Sequence, residues 1–266
     1  MEKKNHWWVY ILIFIISQMS AAAVTVTVRL VNGQAIDISE WAMTAMLFVA
    51  NALAIALFFA FKPKSITWRS TAAALRTPVA RRTALAFLLA LPVICLVNII
   101  QETFFPEIPD LVGEQTMLDI MHNPLGLITV AVIGPVAEEL LFRGGVQTDL
   151  SRRYSQQGWF VPIAFSALAF SLVHMNPAQM PVAFILGCVL GFAYWWTGSL
   201  VAPILIHVFN NSFACLMAVL NPYDDSFTAF LGGKGPTIVT ALASLFLLVA
   251  ILHFIRKEGL KPVENF

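Results

Sequence analysis

The sequence predicts an all-α protein, a polytopic transmembrane helical bundle of about eight spans with both termini cytoplasmic. Three observations predict it. The 266 residues are 59% hydrophobic and only 12% charged, with a mean hydropathy of +0.78, whereas a soluble domain carries about 25% charged residues. Uncharged runs long enough to cross about 30 Å of hydrocarbon recur along the chain. Between them the charge is segregated by sign: Lys62, Lys64, Arg69, Arg76, Arg81 and Arg82 come without an acid, then Glu102, Glu107, Asp110, Glu114 and Asp119 without a base. The net charge of +1, divided in this way, gives no basic face and argues against nucleic-acid binding.

The first run, 7–28, follows Lys3 and Lys4 and carries no charge. Ala21-Ala22-Ala23 resembles a signal-peptide cleavage site, but the run exceeds the about 7–15 apolar residues of such a peptide, so a retained first span is expected. The second span, 41–61, follows a polar loop with Asn32-Gly33, Asp37 and Glu40. By the positive-inside rule the basic segment 62–82 is cytoplasmic and the acidic segment 102–119 external, with the third span, 83–101, between them. Span four, 124–147, leads into a wet stretch, 147–157, whose Arg152 and Arg153 return the chain to the cytoplasm. Span five, 159–174, stops at Asn176-Pro177, and span six, 181–196, turns at Thr197-Gly198-Ser199 into span seven, 200–220. An external loop with Asp224 and Asp225 precedes span eight, 236–255, and Arg256, Lys257 and Lys261 mark a cytoplasmic tail. Residues 1–266 read as one integral membrane domain without internal repeats. Cys95, Cys188 and Cys215 lie in apolar runs and read as small buried hydrophobes, with no disulfide or thiolate metal site.

Span four contains Gly134-Pro135-Val136-Ala137-Glu138-Glu139 and, one turn on, Arg143. Each ionised side chain at mid-membrane costs about 2.5–3.5 kcal/mol on insertion scales, so three in six residues point to function. Glu139 and Arg143 are spaced i, i+4 with the acid first, which suits an ion pair. Glu138 is turned about 100° away, onto a stripe with Gly134, Pro135 and Gly145. It reads as the working carboxylate, and Glu139 and Arg143 as its support. His174, ending span five, and His207, in span seven with Asn211 one turn later, fall at depths similar to Glu138. A carboxylate and an imidazole across a partly dry cavity can hold water and take its proton, while a second imidazole with an amide can donate to an oxyanion. Ser166, Ser171 and Ser212 lie on no nucleophile motif and read as packing hydroxyls.

Glu138-Glu139-x-x-x-Arg143, Phe170-x-x-x-His174 and His207-x-x-x-Asn211, in this order on successive spans, resemble the CAAX protease and bacteriocin-processing (Abi) family of intramembrane endopeptidases, which includes the type II CAAX prenyl proteases. The resemblance covers a motif-bearing core of 125–220. It implies that Glu138 and His174 activate water, that His207 and Asn211 form the oxyanion hole, that Glu139 and Arg143 orient the site, and that the cavity opens to the cytoplasm. Its implied partners are the lipid bilayer and a membrane-associated peptide substrate, with no cofactor expected. Two rivals are a zinc protease ligated by Glu138, His174 and His207, which would lack an HExxH helix, and a non-enzymatic immunity or transport protein using the same residues as a pocket or relay.

Overall fold

The structure, a computed structural model, describes residues 6–31, 40–66, 77–105, 114–220 and 226–259. Among these residues the chain forms ten helices and no strand. They are α1 (Trp7–Val31), α2 (Glu40–Phe61), α3 (Thr77–Phe104), α4 (Glu114–His122), α5 (Pro124–Arg153), α6 (Phe160–Val173), α7 (Met180–Thr197), α8 (Val201–Leu220), α9 (Phe227–Phe230) and α10 (Lys234–Glu258). Six helical stretches are long and apolar enough to cross a membrane: Trp41–Phe61, Val79–Phe104, Pro124–Arg153, Met180–Thr197, Val201–Leu220 and Lys234–Glu258. The shorter apolar helices Trp7–Ser20 and Phe160–Val173 complete the eight expected from sequence. α10 exposes Ile238, Val239, Leu242, Phe246 and Val249, an outward apolar face suited to lipid.

Helix limits follow local chemistry. Asn123 caps α5 by accepting from the Leu125 amide at 2.9 Å, and Pro124 sits at the first position, where its missing N–H costs nothing. α7 ends at Gly198, whose φ of 65° lets its N–H return to the Tyr194 carbonyl. α6 ends at Val173 with His174 as its cap, and Met175 then takes a φ of 51°, a left-handed conformation rare for a residue with a side chain.

Two apolar clusters hold the bundle. Tyr10, Phe58, Phe142 and Phe170 centre the first, joining α1, α2, α5 and α6, and Ala86, Leu190, Trp196, Ile206 and Ile255 centre the second, joining α3, α7, α8 and α10. Small residues set how closely the helices approach: a Cβ on Gly187 would stand 2.9 Å from the Ala167 Cβ, so α6 and α7 meet almost backbone to backbone.

The basic residues gather at one end. There Arg81 pairs with Glu258, Arg82 donates to the Trp196 carbonyl, the Trp196 indole donates to the Gly259 carbonyl, and Arg153 pairs with Asp149, which also accepts from the Trp7 amide. At the opposite end Glu102, closing α3, accepts from the amides of Phe227 and Thr228 and from the Thr228 hydroxyl, pinning α9. The acidic segment, expected as loop, contains α4, whose Leu118 and Ile120 are buried against the bundle.

Gln147 requires a correction. It was expected as the first wet residue after span four, yet it is 1% exposed, and α5 runs six residues further, to Arg153. Its amide nitrogen donates to the Gly191 carbonyl at 2.9 Å, a partner supplied by α7 and not by water. The lack of a Cβ on Gly191 makes this possible, since one would stand 2.9 Å from Gln147 Oε1.

Candidate active site

α5 is not a uniform α-helix. Thr129–Ile133 and Leu140–Gln147 are π-helical, flanking the α-helical turn Gly134–Glu139 that carries both carboxylates. Such wide turns are frequent at functional sites, and here they shift the register on either side of Glu138 and Glu139. The expected small-residue stripe is split as a result. Gly134 and Pro135 line a cavity beside Glu138, whereas Gly145 packs against the Tyr10 ring of α1.

Glu139 and Arg143 form the expected pair at 2.8 Å, with neither side chain exposed. Arg143 also donates to the Gly187 carbonyl at 3.1 Å and lies 4.7 Å from the Phe170 ring centre. The same Glu139 oxygen lies 2.8 Å from His207 Nδ1, a contact between distant spans that spacing along the chain did not reveal. Because a carboxylate accepts, this nitrogen donates, and Nε2 is left facing Glu138 Oε2 at 3.6 Å. His207 therefore stands between the two adjacent acids.

His174 is held differently. Its Nδ1 lies 2.7 Å from the Phe170 carbonyl, which can only accept, so Nδ1 carries the proton and Nε2 presents its lone pair. The Phe170 ring meets both imidazoles edge-on, with ring centres 4.8 Å from His174 and 5.6 Å from His207. Asn211 donates through Nδ2 to the Val130 carbonyl at 3.1 Å and accepts from Asn210 at 3.1 Å, leaving a second N–H on Nδ2.

Glu138, His174, His207 and Asn211 all line one cavity of about 830 Å³, and Glu139 and Arg143 lie behind its wall, so the sequence-predicted residues do come together. Glu138 is 18% exposed in its side chain, against 0% for Glu139, which separates the two carboxylates as expected. Asn51, Asn98, Gln101 and Asn210 also line the cavity and were not foreseen. The available signal was an amide inside an apolar run, as costly there as any unpaired polar group. Among the described residues no three His, Cys, Asp or Glu side chains are grouped to hold a metal ion.

The resemblance implies an opening toward the cytoplasm, and most of the cavity lining lies on the side of the bundle away from the basic residues. Much of the lining comes from the C-terminal half of α3, the N-terminal half of α7 and the stretch of α8 from His207 to Ala218, with Phe14 and Gln18 of α1 nearer the basic end.

Residues 121–213 match the family model of Type II CAAX prenyl endopeptidase Rce1-like proteins. The chain is 32% identical over 112 residues to the membrane-embedded CAAX protease MroQ of Staphylococcus aureus (strain USA300), covering 41% of this chain and 45% of that protein. It is 28% identical over 104 residues to YdiL, a membrane protein of Bacillus subtilis (strain 168), covering 39% and 41%. The matched stretches thus span less than half the length of these relatives. No solved structure matches. This is a multi-pass membrane protein whose residues 121–213 are similar to the Type II CAAX prenyl endopeptidase Rce1-like family.

Proposed function

We propose that the chain is an intramembrane endopeptidase that hydrolyses a peptide bond of a membrane-associated peptide, with water activated by Glu138 and His174 and without a metal cofactor. Glu138 takes a proton from the water as its oxygen adds to the scissile carbonyl carbon. With the His207 ring carrying a proton on each nitrogen, Nδ1 toward Glu139 and Nε2 toward the cavity, the resulting oxyanion accepts hydrogen bonds from His207 Nε2 and from the spare Asn211 N–H. Collapse breaks the C–N bond, and the departing amine receives the proton held by Glu138. Glu139 and Arg143 touch no substrate in this scheme. They hold His207 through its Nδ1.

The observation that carries this reading is the orientation of His174. With Nδ1 committed to the Phe170 carbonyl, its basic nitrogen is free for the cavity that Glu138 also lines. The resemblance to a protein named as a CAAX protease supports the reaction class. The decisive experiment is cleavage of candidate membrane peptides by the purified protein, with and without chelator, beside Glu138→Gln. Cleavage that survives chelation and vanishes in Glu138→Gln is expected. One tightly held zinc per chain, lost together with activity in His174→Ala or His207→Ala, would overturn the metal-free scheme.

A further inference from the structure

The cavity has a closed end and a continuing end. Toward the basic end of the bundle, every residue of α5 from Leu140 to Gln147 is buried. Arg143, Gln147 and Thr148 are tied across to α7 at the Gly187 carbonyl, the Gly191 carbonyl and the Tyr194 hydroxyl, at 3.1, 2.9 and 2.8 Å. This bonded, fully packed layer is the floor of the site. Away from it the lining continues past His174 and His207 through Asn98, Gln101 and Asn210 to Phe227, the residue whose amide Glu102 holds. α6 also stops on this side at Val173, and Met175, just beyond His174, is 79% exposed.

The charge identifies the two sides. Lys62, Lys64, Arg81, Arg82, Arg152, Arg153, Arg256 and Lys257 mark the end beneath the floor, while the helices at the other end hold Glu102, Glu114 and Asp119. Lys and Arg flanking membrane spans are retained in the cytoplasm. The floor of the site therefore faces the cytoplasm and its continuing end faces away from it.

We infer, on the peptidase reading above, that the site takes its substrate from the non-cytoplasmic side, as an extended peptide stretch that has crossed the membrane or lies at its outer surface. The lining suits a peptide main chain. Asn51 Oδ1 and Gln101 Oε1 are buried acceptors without a partner, and both residues line the cavity from different helices. A buried unpartnered acceptor costs about 1–3 kcal/mol, and backbone N–H groups of an extended peptide would remove that cost without selecting any side chain. A cytosolic protein's C-terminal motif would have to pass the Arg143–Gln147 layer to reach Glu138. A segment emerging outside would not.

Cysteine accessibility tests this in the full chain, with Cys95, Cys188 and Cys215 replaced by Ala. Asn210→Cys and, independently, Gln101→Cys place a thiol in the cavity, and Gln156→Cys places one on the exposed turn after α5 at the basic end. Intact cells are treated with a membrane-impermeant maleimide before and after permeabilisation. The expected result is that both cavity thiols label equally in the two conditions and Gln156→Cys labels only after permeabilisation. Cavity thiols that label only after permeabilisation, or in neither condition in a folded protein, overturn the inference, as does Gln156→Cys labelling in intact cells. Labelling needs no turnover, so a Glu138→Gln background gives the same pattern. Failure of the peptidase reading is thereby seen in the cleavage assay alone, and failure of the access side in the labelling alone.

Discussion

Arg143→Met is the sharpest test of what the buried ion pair does. Methionine keeps much of the arginine's length and removes three interactions: the 2.8 Å pair with Glu139, the 3.1 Å bond to the Gly187 carbonyl and the contact with the Phe170 face. Removing one partner of a buried pair costs about 3–5 kcal/mol, largely because the remaining charge is stranded. His207 Nδ1 still donates to Glu139 at 2.8 Å, so the expected loss lies near the lower limit, about 3 kcal/mol. Adding Glu139→Gln removes the stranded charge. Because Glu139 Oε2 and Arg143 Nε have no partner, the native pair is not fully bonded, and its joint replacement should return stability close to wild type. Stability is measured by SDS unfolding in mixed micelles followed by tryptophan fluorescence. Since each single substitution strands a charge and the joint one does not, a coupling of at least about 3 kcal/mol between the substitutions is expected. If the two effects add to within about 0.5 kcal/mol, the stranded-charge account is wrong. The double variant should still be inactive, since His207 would lose the carboxylate that orients it.

Glu138→Gln should lose about 100- to 10,000-fold in turnover while unfolding at the same SDS fraction as wild type, because the partly exposed amide keeps the shape and lacks the base. Asn211→Ala should lose about 100- to 1000-fold in turnover with little change in KM, as read from full kinetic curves, if its spare N–H meets the oxyanion. Gly191→Leu should destabilise by about 1–3 kcal/mol in the same titration, because its side chain would enter the space of Gln147 Oε1 and Ile163. An unchanged titration midpoint would mean that α5 and α7 are not packed as described.

The spans were legible because lipid imposes length and apolarity on each of them, and the i, i+4 pair was legible because helix geometry alone places Glu139 beside Arg143. What depends on register or on neighbours was hidden. Gly145 was misplaced because the π-helical turns interrupt the 3.6-residue period on which stripe arguments rest, and Gln147 because its polarity hides a buried partner, the Gly191 carbonyl on another helix. The bond from His207 to Glu139 joins residues 68 apart in the chain, so it needed the tertiary arrangement. Asn51, Asn98 and Gln101 were passed over as isolated amides in spans outside the motif-bearing core, although each was an amide in a run that should contain none.

The π turn before the two acids explains why an asparagine sits one turn beyond His207. Within Thr129–Ile133 hydrogen bonds close over five residues, as the Gly134 amide does with the Thr129 carbonyl. The next donor in that register would be residue 135, reaching back to Val130, but residue 135 is a proline and has no N–H. The Val130 carbonyl is thus left without its helical partner inside the membrane, where an unmet polar group costs several kcal/mol. Asn211 Nδ2 supplies the missing donor at 3.1 Å. That bond fixes the amide plane and leaves its second N–H with a set direction, so the break made by Pro135 positions a donor beside Glu138 as well as loosening the helix in front of it. Replacing Pro135 with alanine would restore the backbone donor and compete with Asn211 for the Val130 carbonyl. The amide would then be free to rotate, so a structural change in α5 would be read out as a loss in turnover at a residue on α8.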